Sequence, residues 1–285
     1  MTSGADELTL GLVLAAALMH ASWNALAKAN GDPLVNIAVI TGTGGLLALP
    51  FMAWFPWPSA ETFRWLALSG VIHFLYQLNL ARMYRLGDLS QVYPIARGLA
   101  PLGVAALGAA FVDERLAWPQ VLGLLLSAVA IVVLGRAGAR DGETSRGVGT
   151  ALFVAFLIGL YTYSDGRGVR SVSNPLLYIA WTCFMSSLPF GLYTVWARRE
   201  TGLASLREGG GRAALGGVLA TVGYGIALWA MARTPLALVA SLREASVLFA
   251  ALIGAFVLRE SFGPTRIVAS AVLVVGLVLV QLASG

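Results

Sequence analysis

Ten stretches of mostly apolar residues recur along the chain, and each is close to the length that a helix needs to cross a bilayer. About 20 apolar residues in a helix span the roughly 30 Å of hydrocarbon. Lipid offers no hydrogen-bond partners, so each segment must satisfy its own backbone groups, which a helix does alone. The sequence therefore predicts an all-α integral membrane protein with ten transmembrane helices, at about 8–27, 33–55, 62–85, 89–112, 119–134, 148–163, 175–197, 213–232, 235–258 and 265–282.

The composition supports a membrane protein, because 58% of the residues are hydrophobic and only 12% are charged. Soluble domains carry about 25% charged residues. The net charge of +5 does not indicate a nucleic-acid partner, because the basic residues are scattered singly between apolar runs. The single cysteine, Cys183, excludes a disulfide within the chain. The first apolar run has no basic residue before it, so we expect a retained span rather than a signal peptide.

One segment occurs twice. "ARGLAPLGVAALGAAFVDERL" begins at Ala96 and "LREASVLFAALIGAFVLRESF" begins at Leu242, which places Arg97 on Arg243. Two repeats of five spans are the simplest interpretation. Because five is odd, the second repeat enters the membrane from the opposite side. Such inverted repeats are common in transporters, whose substrate site lies near the bilayer midplane between the repeats. The predicted organisation is a first repeat at 1–138, a cytoplasmic linker at 139–147 and a second, inverted repeat at 148–285.

The distribution of Lys and Arg between the loops predicts the orientation of the chain, because cytoplasmic loops carry the excess. This interpretation places both termini on the periplasmic side. Arg64, Arg115, Arg167, Arg170 and Arg233 fall on that side. The predicted cytoplasmic set is larger and contains Lys28, Arg82, Arg85, Arg136, Arg140, Arg146, Arg198, Arg199, Arg207, Arg212, Arg259 and Arg266.

Two arginines lie inside predicted spans, where a charge costs about 2.5–3.5 kcal/mol on insertion scales. Arg97 and Arg243 either border a water-filled path and attract a carboxylate, or neutralise helix carbonyls and acids of the protein. Their helices start on opposite faces, so we expect them near opposite mouths of the path. Glu244 is a carboxylate deep in a span, and it either titrates as substrate moves or compensates a nearby arginine.

Polar and aromatic residues share helix faces in the first and third spans. His20, Trp23 and Asn24 lie on one such face, and His73, Tyr76 and Gln77 on the other. They either hold helices together or line a polar, aromatic cavity. The corresponding candidates of the second half are Tyr161, Tyr163, Asp165, Tyr224 and Trp229.

Motifs for enzymatic or ATP-driven chemistry are absent from the sequence. It contains no G-x-x-x-x-G-K-[ST], HExxH, GxSxG or CxxC motif. We therefore expect no cofactor and no metal, and any energy for transport to come from a gradient or an exchanged solute.

The two halves resemble EamA-type members of the drug/metabolite transporter superfamily. The residues that carry the resemblance are "FVDERL" at 111–116 and "FVLRESF" at 256–262, with Glu114 and Glu260 at the family's glutamate, and "HASWNALAK" and "YTYSDGRGVR" at 20–28 and 161–170. The resemblance implies a carrier in the bacterial inner membrane that works by alternating access, with a central cavity between the halves. Known members export amino acids and other metabolites.

The sequence thus predicts a secondary transporter, acting as a monomer, that exports amino acids or similar small metabolites. A sugar-phosphate or nucleotide-sugar exchanger and a cationic drug exporter remain alternatives. An integral membrane enzyme acting on lipid-linked substrates, or a receptor, would be a different class. The predicted substrate-binding residues are His20, Trp23, Asn24, His73, Tyr76, Gln77, Arg97, Tyr163, Tyr224, Trp229, Arg243 and Glu244.

Overall fold

The computed structural model describes residues 7–28, 31–86, 89–98, 100–111, 116–137, 144–249 and 264–282. These residues form helices and short connections, with no β-strand among them. A short helical stretch, 245–249, lies between the last two helices. In chain order the helices are α1 (Glu7–Lys28), α2 (Pro33–Trp54), α3 (Ala60–Leu86), α4 (Leu89–Gly98), α5 (Ala100–Phe111), α6 (Trp118–Ala137), α7 (Thr144–Arg170), α8 (Pro175–Ala197), α9 (Gly202–Met231), α10 (Leu236–Arg243) and α11 (Pro264–Leu282).

Five stretches within these helices are long and apolar enough to cross a membrane, so the chain is a multi-pass membrane protein. Tryptophans at the ends of helices project outward, as in the aromatic belts at membrane interfaces; Trp54 and Trp118 are 85% and 72% exposed. The count of ten spans goes beyond these five and remains a prediction. The five are Glu7–Ala27, Pro33–Trp54, Gly147–Arg170, Pro175–Ala197 and Gly202–Met231.

The predicted span 89–112 is covered by α4 and α5, and residue 99 between them lies outside the described residues. Three other predicted spans differ from the helices observed. In the span 235–258, α10 ends at Arg243, and a turn at Glu244 separates it from residues 245–249. By contrast, α7 and α9 are longer than predicted, since α7 continues through the polar sequence YTYSDGRGVR. Polar residues such as Asp165 stay helical there because other helices supply their hydrogen bonds.

Helices α2 and α8 begin with the same capping arrangement. Asp32 and Asn174 each accept a hydrogen bond from the backbone N–H two residues later, at 2.9 and 3.0 Å, and a proline follows each cap. Such caps satisfy N–H groups that the first turn of a helix leaves free. The shared cap is a second point at which the two halves correspond, in addition to the segment that contains the arginines.

Asp32 also joins two connections at one end of the bundle, because its carboxylate accepts a hydrogen bond from Arg198 Nε, and its backbone N–H donates to Ser205 Oγ at 3.1 Å. Partial burial alone would raise the pKa of Asp32. Hydrogen bonds from Arg198 and from the Leu34 N–H, with the charges of Arg198 and Arg85, outweigh burial and lower this pKa below its ordinary value of 3.8. Asp32 lies between two spanning helices, so it titrates outside the membrane.

We expect Asp32→Asn to remove this ion pair while keeping the cap, because asparagine caps helices as well as aspartate does. A carboxyl with a lowered pKa stabilises the fold above its ordinary pKa, and this contribution disappears as pH falls through the lowered value. The difference is expected to be below about 1 kcal/mol, because the pair is partly exposed. Unfolding of both proteins between pH 7 and pH 2 measures it, and a difference that persists at the lowest pH would contradict the assignment.

The helices of the two halves pair reciprocally. α1 packs against α9 and α3 packs against α7, so the first helix of each half meets the third helix of the other. The second helices, α2 and α8, pack together, and so do the last helices, α6 and α11. Exchanging the halves therefore maps these contacts onto one another, which is the packing expected of two equivalent repeats.

Glycines allow α2 and α9 to approach closely. A Cβ built on Gly217 would lie 2.5 Å from Thr43 Cβ and 2.6 Å from the Ile40 carbonyl oxygen, both on α2. We expect Gly217→Ala to destabilise the protein by about 1–3 kcal/mol, the usual cost of overpacking. Gly211→Ala in the same helix is the matched control, since its Cβ would meet nothing within 4 Å. Unfolding in detergent compares the two, and an unaffected Gly217→Ala variant would show that the helices are not in tight contact.

Candidate functional site

A cavity of about 100 Å³ lies between the two halves. Helices α1, α2 and α3 of the first half and α7, α8, α9 and α10 of the second contribute its walls. The wall contains aromatic, polar and small or apolar side chains. The lining residues are His20, Trp23, Ile37, Ile40, Thr41, Gly44, His73, Tyr76, Gln77, Leu80, Tyr161, Thr182, Cys183, Ser186, Ala220, Thr221, Tyr224 and Arg243.

His73 anchors one side of the cavity through a buried carboxylate. Its Nε2 lies 3.0 Å from Asp165 Oδ2, and its ring stacks on Tyr161 with centroids 4.4 Å apart. Asp165 is completely buried on α7. It also accepts hydrogen bonds from the hydroxyls of Tyr224 and Tyr178, the latter at 2.8 Å. One carboxylate thus fixes side chains from α3, α8 and α9, which belong to both halves.

Helix α1 contributes a second polar group. Trp23 Nε1 donates to His20 Nδ1 at 3.2 Å, and because an indole nitrogen only donates, the neutral His20 ring carries its proton on Nε2. Asn24 does not line the cavity. Its amide donates to the His20 carbonyl at 2.7 Å and accepts from the Tyr84 hydroxyl, so Asn24 joins α1 to α3. Of the three residues predicted on α1, His20 and Trp23 thus line the cavity, and Asn24 holds helices together.

The two arginines inside the spans lie close together, which corrects the prediction that they sit near opposite mouths. Arg97 Nη2 lies 2.9 Å from Glu244 Oε1 and 3.5 Å from the Arg243 carbonyl oxygen. Packing of the two halves thus brings Arg97 on α4 and Arg243 on α10 to one place. Arg97 pairs with an acid of the protein, whereas Arg243 lines the cavity with its Cζ 5.5 Å from the Tyr224 ring centroid.

Two further predicted residues lie outside the cavity lining. Tyr163 packs against Trp65 and Phe111, with ring centroids 6.5 and 6.1 Å apart. It follows the lining residue Tyr161 by two positions, which turns it about 200° around the helix. Trp229 stacks under the Arg233 guanidinium at 4.5 Å, on another face of α9 from Tyr224. Glu114 and Glu260, the glutamates of the resemblance, lie outside the described residues.

Seven of the twelve predicted residues therefore meet around one cavity: His20, Trp23, His73, Tyr76, Gln77, Tyr224 and Arg243. That they bind a substrate remains a prediction. Asp165 is among the candidates from the sequence but not in the predicted substrate-binding set, and the sequence did not signal Tyr178 or Thr182, which approach Asp165 from α8. The polar sequence at the end of the predicted span was the available signal for Asp165. Among the described residues, no group of three or more His, Cys, Asp and Glu is placed to hold a metal ion.

Comparisons with known proteins agree with this architecture. A crystal structure described only as "Crystal structure of protein" matches with a TM-score of 0.73 and 19% identity, over 98% of this chain and 99% of the other. At that identity the likeness establishes the fold alone. No curated protein matches. The model of the EamA-like transporter family matches residues 8–136 and again 145–282. The two matches together cover nearly the whole chain. The chain therefore belongs to the EamA-like transporter family.

Proposed function

We propose that this protein is a secondary transporter that exports amino acids or similar small metabolites across the bacterial inner membrane. The observation that carries the proposal is the cavity between the two halves, walled by His20 and His73 from one half and by Tyr224 and Arg243 from the other. A site shared by two repeats suits alternating access, in which the repeats rock around a fixed binding site.

The polarity and size of the cavity favour a small amphipathic solute. Imidazole, phenol and guanidinium groups line the cavity together with the apolar side chains of Ile37, Ile40 and Leu80. Its volume of about 100 Å³ is below the roughly 300–1,000 Å³ typical of pockets for drug-sized ligands. A solute of few heavy atoms, with one ionic and one apolar end, matches both properties.

The proposed arrangement has two five-helix repeats, at 1–138 and 148–285, related by inversion and joined by a cytoplasmic linker. The reciprocal packing of α1 with α9 and of α7 with α3 supports this arrangement. The turn at Glu244 after α10 supports a site at the midplane, because α10 ends beside the cavity that Arg243 lines. Both termini are assigned to the periplasmic side from the arginine distribution.

Flux through the purified protein tests the function. We expect proteoliposomes to exchange a labelled amino acid from a broad panel, and Tyr76→Ala to lower the exchange rate at least about tenfold, because Tyr76 lines the cavity. Tyr193→Ala is the matched control, since Tyr193 packs against Phe74 and Trp196 away from the cavity. Exchange of sugar phosphates or organic cations without any amino acid would overturn the substrate class, and no exchange of any solute would overturn the transporter itself.

A further inference from the structure

Arg243 carries a buried charge that the described residues leave without a dedicated partner. It is 4% exposed and lines the cavity. Glu244, the next residue in the chain, places its Oε1 on Arg97, and its Oε2 makes no hydrogen bond in the described part of the chain. One carboxylate therefore compensates two guanidinium groups. Burying an ion costs several kcal/mol unless it is paired, so this excess positive charge favours an anion in the cavity.

Two more cavity-lining residues have open hydrogen-bonding atoms. Within the described ranges, His20 Nε2 and Gln77 Oε1 are buried and have no partner. Because Trp23 occupies His20 Nδ1, the open Nε2 is a donor, whereas the open Gln77 oxygen is an acceptor. His20 and Arg243 line the same cavity. An unpaired buried polar atom is unfavourable, and a ligand with matching groups would remove that cost.

The other buried carboxylate near the cavity is already occupied. Asp165 accepts from His73, Tyr178 and Tyr224, so its oxygens are not free for a cationic ligand. Glu244 Oε2 has no partner in the described part of the chain, but Glu244 does not line the cavity. Among the lining residues of the described chain, the buried polar atoms without a partner are thus one N–H donor and one carbonyl acceptor, and they share the cavity with the Arg243 guanidinium. This set complements a carboxylate with a hydrogen-bond donor beside it, and it does not complement an amine alone.

We propose that Arg243 and His20 form the subsite for the substrate's carboxylate, with Gln77 accepting a hydrogen bond from its amino group. The inference rests on the proposed function and specifies it: the substrate is recognised as an α-amino acid. Guanidinium grips a carboxylate through two parallel hydrogen bonds, and His20 adds a third donor. The apolar side chain of the substrate then faces Ile37, Ile40 and Leu80.

Binding to the purified full-length protein tests the subsite without requiring transport. The probes are valine, 3-methylbutanoate, which lacks the amino group, and 2-methylpropylamine, which lacks the carboxylate, together with inorganic phosphate. We expect valine and 3-methylbutanoate to raise the Tm and the amine to leave it unchanged. Arg243→Gln should weaken both carboxylates about 10- to 100-fold, as expected for lost charge-assisted hydrogen bonds. Equal binding of the amine, no binding of either carboxylate, or Arg243-dependent binding of phosphate alone would overturn the proposal.

Arg233→Gln is the matched control, because Arg233 is an exposed arginine on the Trp229 ring outside the cavity. It removes the same charge, and we expect it to keep carboxylate binding. The ligand-free Tm separates recognition from support of the fold. Arg243→Gln should leave that Tm unchanged or raise it, since the side chain has no hydrogen-bonded partner in the described chain. A lowered Tm would assign Arg243 a structural role and contradict the proposal.

Different experimental results would contradict the proposed subsite and the proposed function. If Arg243-dependent binding of carboxylates holds but proteoliposomes exchange no amino acid, the transport proposal is wrong and the subsite stands. If amino acids are exchanged at the same rate by wild-type protein and Arg243→Gln, the subsite is wrong and the transporter stands.

Discussion

Replacing Glu244 with glutamine is expected to destabilise the protein by about 3–5 kcal/mol, because removal of one partner from a buried ion pair leaves the other charge uncompensated. Glu244 is 2% exposed and pairs with Arg97 at 2.9 Å, and Arg243 lies beside it in the chain. The glutamine keeps the shape and one hydrogen bond but leaves two guanidinium groups without an anion. The free energy of unfolding, from denaturant titration in mixed micelles, measures the loss.

The paired variant distinguishes lost charge balance from lost packing. We expect Arg97→Gln alone to be less harmful than Glu244→Gln, because Glu244 then retains the charge of Arg243 nearby. The double variant Arg97→Gln/Glu244→Gln should recover part of the stability that Glu244→Gln loses, since this cluster then carries one excess positive charge, as it does in the wild-type protein. If the two single variants lost equal stability, and the double variant lost the sum of the two, the result would contradict an ion pair that couples α4 to the turn after α10.

The hydropathy of the sequence predicted the helices well where a segment is long and faces lipid or apolar neighbours. α2 and α8 begin and end within one residue of prediction, because Pro33 and Pro175 mark their first turns and apolar residues fill them. The same property misled at the end of α10. Glu244 lies within an apolar run, so hydropathy alone could not show that α10 ends before it. A break in lipid requires partners from elsewhere in the fold, which a local pattern does not contain.

The candidate site was likewise predictable only in part. Helical spacing placed His73, Tyr76 and Gln77 on one face, and the structure places all three on the cavity. The partner of Arg97 was not predictable, because Glu244 lies 147 residues away and reaches it only through packing of the two halves. The residue types of Tyr163 and Trp229 suggested that they line a binding site, but their positions around the helix turn both side chains away from the cavity. The residue types indicated which side chains could bind a solute, and tertiary packing decided which of them line the cavity.

Asp165→Asn is expected to have the largest effect on transport among single substitutions in this site, while costing about 2–4 kcal/mol of stability. Asp165 accepts hydrogen bonds through both carboxylate oxygens, from His73 and Tyr224 on Oδ2 and from Tyr178 on Oδ1. Asparagine offers one acceptor oxygen and an NH₂ group, so one side of the cluster meets a donor where it needs an acceptor. Hydrogen bonds to a charged group contribute about 1.5–3 kcal/mol each, and rotation of the tyrosine hydroxyls recovers part of the loss.

The effect on transport follows from which side chains Asp165 holds. His73 and Tyr224 line the cavity, whereas Tyr178 does not. We therefore expect Asp165→Asn to lower exchange in proteoliposomes at least about tenfold, and Tyr178→Phe, which removes one donor and leaves both cavity residues held, to stay within about threefold of wild type. If the two variants lost exchange equally, the role of Asp165 would be general support of α7 and α8. A selective loss in Asp165→Asn instead means that the buried carboxylate sets the positions of cavity groups from both halves, which is the property that a site shared by two moving repeats requires.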